Sequence, residues 1–357
     1  MSAVPAPETG PDAGVVWHYG DPLGEQRAAA DAAVVVDRSH RAVLTLTGND
    51  RKTWLHSLSS QHVSELPDGT VTQNLSLDGQ GRVEDHWIQT ELDSVTVLDT
   101  EPWRGEPLLA YLRKMVFWAD VVVEPADLAV LSLLGPRLSD TRVLDTLGLD
   151  SLPAESTAVA LPDGGFVRRM PGQGIELDVV VPRDQAADWR RRLVEAGVRP
   201  AGVWAYEAHR VAALRPRLGV DTDERTIPHE VGWIDTAVHL DKGCYRGQET
   251  VARVHNLGKP PRMLVLLHLD GSTDRPATGD TVLAGGRTVG RLGTVVDHVD
   301  EGPIALAQLK RGLPVDTALT TGGESEVAAV IDADSMPTAD VVGAGRLAVE
   351  QLRGRTR

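Results

Sequence analysis

Lys242-Gly243-Cys244-Tyr245-Arg246-Gly247-Gln248-Glu249 sets the only cysteine of the 357-residue chain between two cations and two glycines. A thiol attacks or binds metal as its thiolate. A cation at close range lowers its pKa, so Lys242 and Arg246 are candidates to activate it. Glycines let backbone come close to a ligand or take positive φ. On chemistry alone the signal is modest, because a lone cysteine is more often a small buried hydrophobe.

Working outward, residues 221–240 upstream are irregular. Before them Gly202–Leu214 is helical and ends at Arg215-Pro216. Downstream, Lys259-Pro260-Pro261 marks a boundary, after which short strands alternate with glycine turns and no helix intervenes. These are Met263–Leu269, Thr281–Leu283, Val289–Val296, Ile304–Leu309 and Val327–Ile331, the pattern of a small β-barrel or sandwich. The region before Gly202 mixes both element types. Ala42–Thr47 reads as a strand, followed by a helix that Asp50 caps and that carries Trp54, Leu55 and Leu58. Val71–Leu77 and Val83–Thr90 form a hairpin through Asp78-Gly79-Gln80-Gly81, since Asp-Gly supports a tight turn. Ser94–Asp99, Val121–Glu124 and Ala129–Leu134 are further strands. Pro107–Phe117 and Asp184–Ala196 are amphipathic helices, the second with Trp189, Leu193 and Val194 inward and Arg190–Arg192 outward. Residues 1–24, rich in Pro, Ala and Gly, read as a flexible arm. Residues 346–357 read as a basic tail.

The length exceeds that of a single compact core, and 41% apolar residues suffice to build several. The net charge of −15 and 4% aromatic content count against direct nucleic-acid binding, which needs basic surface and stacking rings. No apolar run approaches the roughly 20 residues of a membrane span, and the first residues show no signal-peptide pattern. One cysteine forms no internal disulfide and supplies too few thiolates for a structural zinc site. The expectation is a cytoplasmic protein without a stable metal site. Phosphate-loop, nucleophile-elbow and HExxH motifs are absent.

The 242–249 stretch resembles the signature of the YgfZ family of folate-binding proteins, a branch of the superfamily that contains the glycine-cleavage aminomethyltransferase. Every fixed position matches. Other segments agree with it: Gly48-Asn49-Asp50-Arg51, Asp78-Gly79-Gln80-Gly81-Arg82-Val83-Glu84-Asp85, Gly174-Ile175-Glu176-Leu177, Pro228-His229-Glu230 and Val289-Gly290-Arg291-Leu292-Gly293-Thr294. The resemblance implies an α+β fold of three domains in a ring, ending in a small C-terminal β-barrel. Residues 25–258 would form the folate-binding region as two discontinuous α+β subdomains, and 259–345 the barrel. Tetrahydrofolate is the implied cofactor.

Asp85 and Glu176 match the superfamily's folate-facing carboxylates. A carboxylate suits this task, accepting paired hydrogen bonds from a pterin's amino-pyrimidine edge or handling a proton at a reacting nitrogen. Glu176 takes the anchoring role and Asp85 the proton-handling role, which with Cys244 makes the pair of candidate catalytic residues. The family commonly carries an acid where this chain has Ala212; Glu207, one turn earlier and three residues from Arg210, is the candidate to compensate in the pocket. Lys242 is expected to favour the Cys244 thiolate, with Gly243, Tyr245, Gly247, Gln248 and Glu249 completing the loop.

The function implied by the resemblance is that of an accessory protein for assembly or repair of iron–sulfur enzymes, with tRNA-modifying enzymes as indirect beneficiaries. Cys244 would be a transient iron ligand, and iron–sulfur assembly factors or client enzymes the partners. Two alternatives stand beside it: an aminomethyltransferase moving a one-carbon unit to tetrahydrofolate, and a non-catalytic interaction module with a degenerate pocket.

Overall fold

The computed structural model describes residues 2–337 except 173, 258, 272, 273, 324 and 325, so the tail at 346–357 lies outside the described residues. The chain divides into two compact units. The first comprises Met1–His56, His62–Asn74 and Asp85–Ala213; the second comprises Ser57–Gln61, Leu75–Glu84 and Leu214–Arg357.

Two sheets supply most of the first unit, the second of them including Leu75–Leu77 and Val83–Glu84 of the other unit. One has six strands in the order Ala158–Ala160, Phe166–Arg169, Glu176–Pro182, Leu128–Leu134, Val34–Asp37 and Arg199–Ala201. Only the last pair is parallel. Period-two alternation sends Leu177, Val179 and Val181 to one face, where they pack with Trp189 and Leu193 of helix Ala186–Glu195. The same alternation turns Glu176, Asp178 and Val180 to the other face. There Val130, Phe166 and Val180 share a core with Val43, Val71 and Val97 of the second sheet. That sheet orders Val71–Leu77, Val83–Leu92, Val95–Thr100, Ala42–Thr47 and Val122–Pro125.

The second unit contains a closed barrel of Arg262–Leu269, Gly302–Lys310, Arg287–His298, Thr281–Ala284, Leu319–Thr321 and Val327–Ile331. Val265, Leu267, Leu292, Ala305, Ala307 and Leu309 fill it. The expected C-terminal barrel is therefore present, with Leu319–Thr321 as an additional strand.

Three local expectations change. Residues 1–24 are not a free arm: Val4–Pro5 pairs with Val16–His18, and Ala6 and Val15 join a core with Val34, Val36 and Tyr206. Asp50 does not cap with its side chain; its carboxylate accepts from the Asp120 N–H, while its carbonyl accepts from Trp54 N–H. Val194 points outward, because the inward stripe is already filled by Trp189 and Leu193. The barrel's first strand begins at Arg262. Arg262 grips Asp223 and Glu230 of the preceding segment, and Asp221 accepts from the Thr294 N–H at 2.7 Å, so residues 214–261 are fastened to the barrel within the second unit.

No helix among the described residues is long and apolar enough to cross a membrane.

Candidate functional site

Asp85, Glu176, Glu207 and Arg210 all lie in the first unit, and the 242–249 loop lies in the second. Asp85 sits in strand Val83–Leu92 and is buried. Its Oδ1 accepts from Arg104 Nε at 2.8 Å and pairs with the other guanidinium nitrogen at 2.7 Å. Glu176 opens strand Glu176–Pro182, also buried, and accepts from the Tyr206 hydroxyl at 3.1 Å. His209 Nε2 stands 3.7 Å from its second oxygen. Tyr206 and His209 are three residues apart on helix Val203–Ala212, so one helix face presents both to Glu176.

Glu207 and Arg210 occupy that helix too, and both are buried. Arg210 Nε donates to Glu207 Oε1 at 2.8 Å, and a second guanidinium nitrogen donates to Oε2. The expected i to i+3 partnership is thus formed as a two-pronged ion pair. Ala212 is exposed at the helix end.

Between Glu176 and Asp85 runs a buried charge ladder that the strand patterns did not announce. Arg38 stacks 3.8 Å over the Tyr206 ring, and its NH1 donates to Ser132 Oγ at 3.0 Å. Ser132 donates to Asp178 Oδ1 at 2.5 Å. Arg168 joins Asp178 at 2.8 Å to Asp99 at 2.6 Å. Arg41 then bonds Asp99 at 2.6 Å and reaches Glu101 at 3.4 Å. The main chain closes the sequence, since Arg104 N–H donates to the Glu101 carbonyl. Burial opposes charge on Asp99, but Arg168 and Arg41 outweigh it and hold the carboxyl at about 2. Burial is also the first influence on Arg168, and the two aspartates overcome it, raising its pKa. His86, beside this ladder, is pushed down to about 4 by burial first and by Arg41 second. The only sequence clue was the placement of Arg168 and Asp178 at core-facing strand positions.

In the second unit, Cys244 is exposed. The residues around it anchor the loop. Lys242 is buried, and its Nζ donates to the Ser59 carbonyl at 2.6 Å and the Gln61 carbonyl at 2.8 Å. Burial lowers its pKa to about 8. Arg246 pairs with Glu84 at 2.8 Å. These bonds make the two flanking cations anchors of the loop. Gln248 Nε2 donates to the Lys242 carbonyl at 3.1 Å, closing the loop as its residue type suggested. Tyr245 is buried, and burial lifts its hydroxyl to about 12. Gln248 and Glu249 open a helix, Gln248–Leu257, where the two glycines suggested only a loop.

Those glycines are not equivalent. Gly247 has φ +83, and a Cβ there would lie 2.5 Å from the Asp78 carbonyl and 2.9 Å from Gly81 Cα. At Gly81, with φ +77, a Cβ would lie 2.9 Å from Thr250 Cβ and 3.3 Å from the Gly247 carbonyl. The tip of the 78–81 hairpin and the cysteine loop therefore meet backbone to backbone. At Gly243 a Cβ would meet nothing within 4 Å, and no positive φ is needed. Glu230 bonds Arg262 through both oxygens at 2.9 and 2.8 Å, so the Pro-x-Glu step fastens the segment to the barrel.

Comparison with known proteins adds identity to this geometry. The chain is 30% identical over 308 residues to an aminomethyltransferase of Stenotrophomonas maltophilia, covering 83% of this chain and 82% of that one. It belongs to the aminomethyltransferase superfamily. Within that superfamily it is also 25% identical to the tRNA-modifying protein YgfZ of Vibrio vulnificus, over 85% of this chain and 92% of the relative. The fold matches the glycine cleavage system aminomethyltransferase T of Bartonella henselae, with a TM-score of 0.82, 17% identity, and 97% and 95% of the two chains covered. No family model matches the chain. The superfamily placement and the fold of mixed helices and strands ending in a barrel agree with the α+β architecture the motifs implied.

Proposed function

We propose that the chain is a tetrahydrofolate-binding accessory protein that supports assembly or repair of iron–sulfur enzymes, with tRNA-modifying enzymes among the indirect beneficiaries. The observation that carries this reading is the exposed Cys244 on a loop pinned at both ends by Lys242 and Gly247. A thiol so placed meets a partner without rearrangement of its own loop. As a single thiolate it serves for passing contact with a cluster iron brought by a client, since stable clusters take several thiolates.

The first unit supplies a donor set that fits a folate. Glu176, oriented by Tyr206, is of the type that accepts paired hydrogen bonds from an amino-pyrimidine edge. Asp85, held by Arg104, is of the type that holds a proton at a nitrogen. When bound, tetrahydrofolate supplies a nucleophilic nitrogen able to carry a one-carbon unit. Glu176 and Asp85 bind and orient it, and the Arg38–Arg41 ladder keeps the supporting strands rigid.

Replacing Cys244 by Ala in cells should lower the activity of client iron–sulfur enzymes without lowering the level of folded protein. Full client activity with Cys244→Ala removes the thiol from the account. A second reading, one-carbon transfer by turnover, is favoured by the 30% identity to a protein named aminomethyltransferase. Transfer from an aminomethyl-lipoyl carrier to tetrahydrofolate, measured with purified protein, decides it. Partners with basic surface are expected to associate most readily with a chain of net charge −15.

A further inference from the structure

A cavity of about 370 Å³ opens in the first unit and is lined by Arg51, Lys52, Leu66, Asp68, Glu91, Asp93 and Ser94, with neither Asp85 nor Glu176 in its wall. Its floor is a buried carboxylate. Glu91 is 2% exposed. Its Oε1 accepts from Gln89 Nε2 at 2.9 Å and from Thr96 Oγ1 at 2.6 Å. Its Oε2 has no hydrogen-bond partner and stands 3.5 Å from an Arg51 guanidinium nitrogen. Burial is the main influence on Glu91 and raises its pKa, against the pull of Thr96, Gln89, Arg51 and Lys52.

Buried polar atoms are nearly always bonded. Here two on facing residues are not, Glu91 Oε2 and Arg51 Nε. Lys52 adds a third set of donors: it gives one proton to the Leu66 carbonyl at 2.9 Å, and an ammonium carries three. The rim is acidic and exposed, with Asp68 and Asp93.

This mixture selects a ligand by charge. A simple anion drawn to Arg51 and Lys52 meets Glu91 and the two rim aspartates. A simple cation drawn to the acids meets Arg51 and Lys52. A molecule carrying both charges one carbon apart satisfies both sets. We propose that this cavity binds a small zwitterion of the α-amino acid class, its carboxylate on Arg51 and Lys52 and its ammonium on Glu91 Oε2. The acidic rim disfavours an acidic side chain, and the volume admits a small one. None of these residues is one of the candidate folate-facing carboxylates or part of the cysteine loop, so the site stands apart from that function.

The test is calorimetric titration of the full chain with L-alanine and L-serine, beside propionate and ethylamine, each of which keeps one of alanine's two charges. Saturable binding of the amino acids is expected, about tenfold or more tighter than either half-ligand, because only the zwitterion pairs both charged sets. Glu91→Gln keeps an acceptor for Gln89 and Thr96 and should weaken amino-acid binding about tenfold or more. Lys52→Met, at a half-buried position, should weaken it too, and serves if the Glu91 variant misfolds. Propionate binding as tightly as alanine would show a plain anion site and overturn the proposal. So would amino-acid affinity unchanged in both variants, or no saturation by either amino acid at about 20 mM, a concentration that would reveal even millimolar affinity.

Discussion

Arg168 meets Asp99 at 2.6 Å with both side chains 1% exposed, and it joins two sheets. Arg168 comes from the strand Phe166–Arg169 of one sheet and Asp99 from Val95–Thr100 of the other. Hydrophobic residues fill the same layer beside them, including Val97, Val130 and Val180. Charge in such a place is costly unless fully paired. Removing one partner strands the rest of the ladder.

Arg168→Met is accordingly expected to destabilise the protein by about 3–5 kcal/mol, the usual cost of breaking a buried pair. Denaturant unfolding measures it. A loss below about 1 kcal/mol, the value of an exposed pair, would mean the ladder is solvated in solution.

Asp99 gives the same ladder a pH signature. Its folded-state value of about 2 lies below the ordinary 3.8. The unfolded chain therefore binds more protons between those values, and stability rises with pH across the window. The contribution is complete above pH 3.8 and is lost as the pH falls toward 2. Asp99→Asn should flatten the acid limb of a stability–pH curve; an unchanged limb assigns it to other carboxylates.

Lys242 works at the opposite end of the scale. Burial holds it at about 8 against 10.5. The folded state binds fewer protons between these values, so stability rises from pH 8 to 10.5. The gain is lost as the pH falls through 8, below which Lys242 is charged in both states. Lys242→Met should remove that rise, and at neutral pH should also cost about 1–3 kcal/mol for the two carbonyl bonds it loses. A persistent alkaline rise in the variant would place its origin elsewhere.

The two motif glycines separate structure from surface. Gly247→Ala puts a Cβ 2.5 Å from the Asp78 carbonyl and strains a φ of +83. A loss of about 1–3 kcal/mol is expected, together with faster proteolysis at the 78–81 hairpin. Gly243→Ala meets open space and should leave stability within about 0.5 kcal/mol. Equal effects at the two positions would contradict the hairpin contact.

These cases show where the sequence was readable. Ala42–Thr47, the Val71–Leu92 hairpin and most of the barrel obey simple alternation, and the structure follows it. The candidate carboxylates Asp85 and Glu176 and the cysteine loop stood out through short motifs. The charge ladder did not, because Arg168, Asp178 and Asp99 interrupt apolar strands in the same way surface residues would. Only the pairing of two distant sheets shows that they face each other. The N-terminal hairpin hid for a related reason: two strands of two and three residues among prolines and glycines carry no period. Helix Gln248–Leu257 was lost because Gly247, read as loop, is the residue just before it.

The central claim is that the first unit holds a folate through Glu176 and Asp85. Calorimetric titration with tetrahydrofolate, anaerobic and reducing, tests it most directly when the wild type runs beside Glu176→Ala and Asp85→Ala. The account predicts saturable binding at roughly micromolar affinity. It also predicts a loss of about 1–3 kcal/mol in each variant, from pterin donors left without an acceptor. No binding to the wild type at about 1 mM ligand, or affinities unmoved by either substitution, would contradict it.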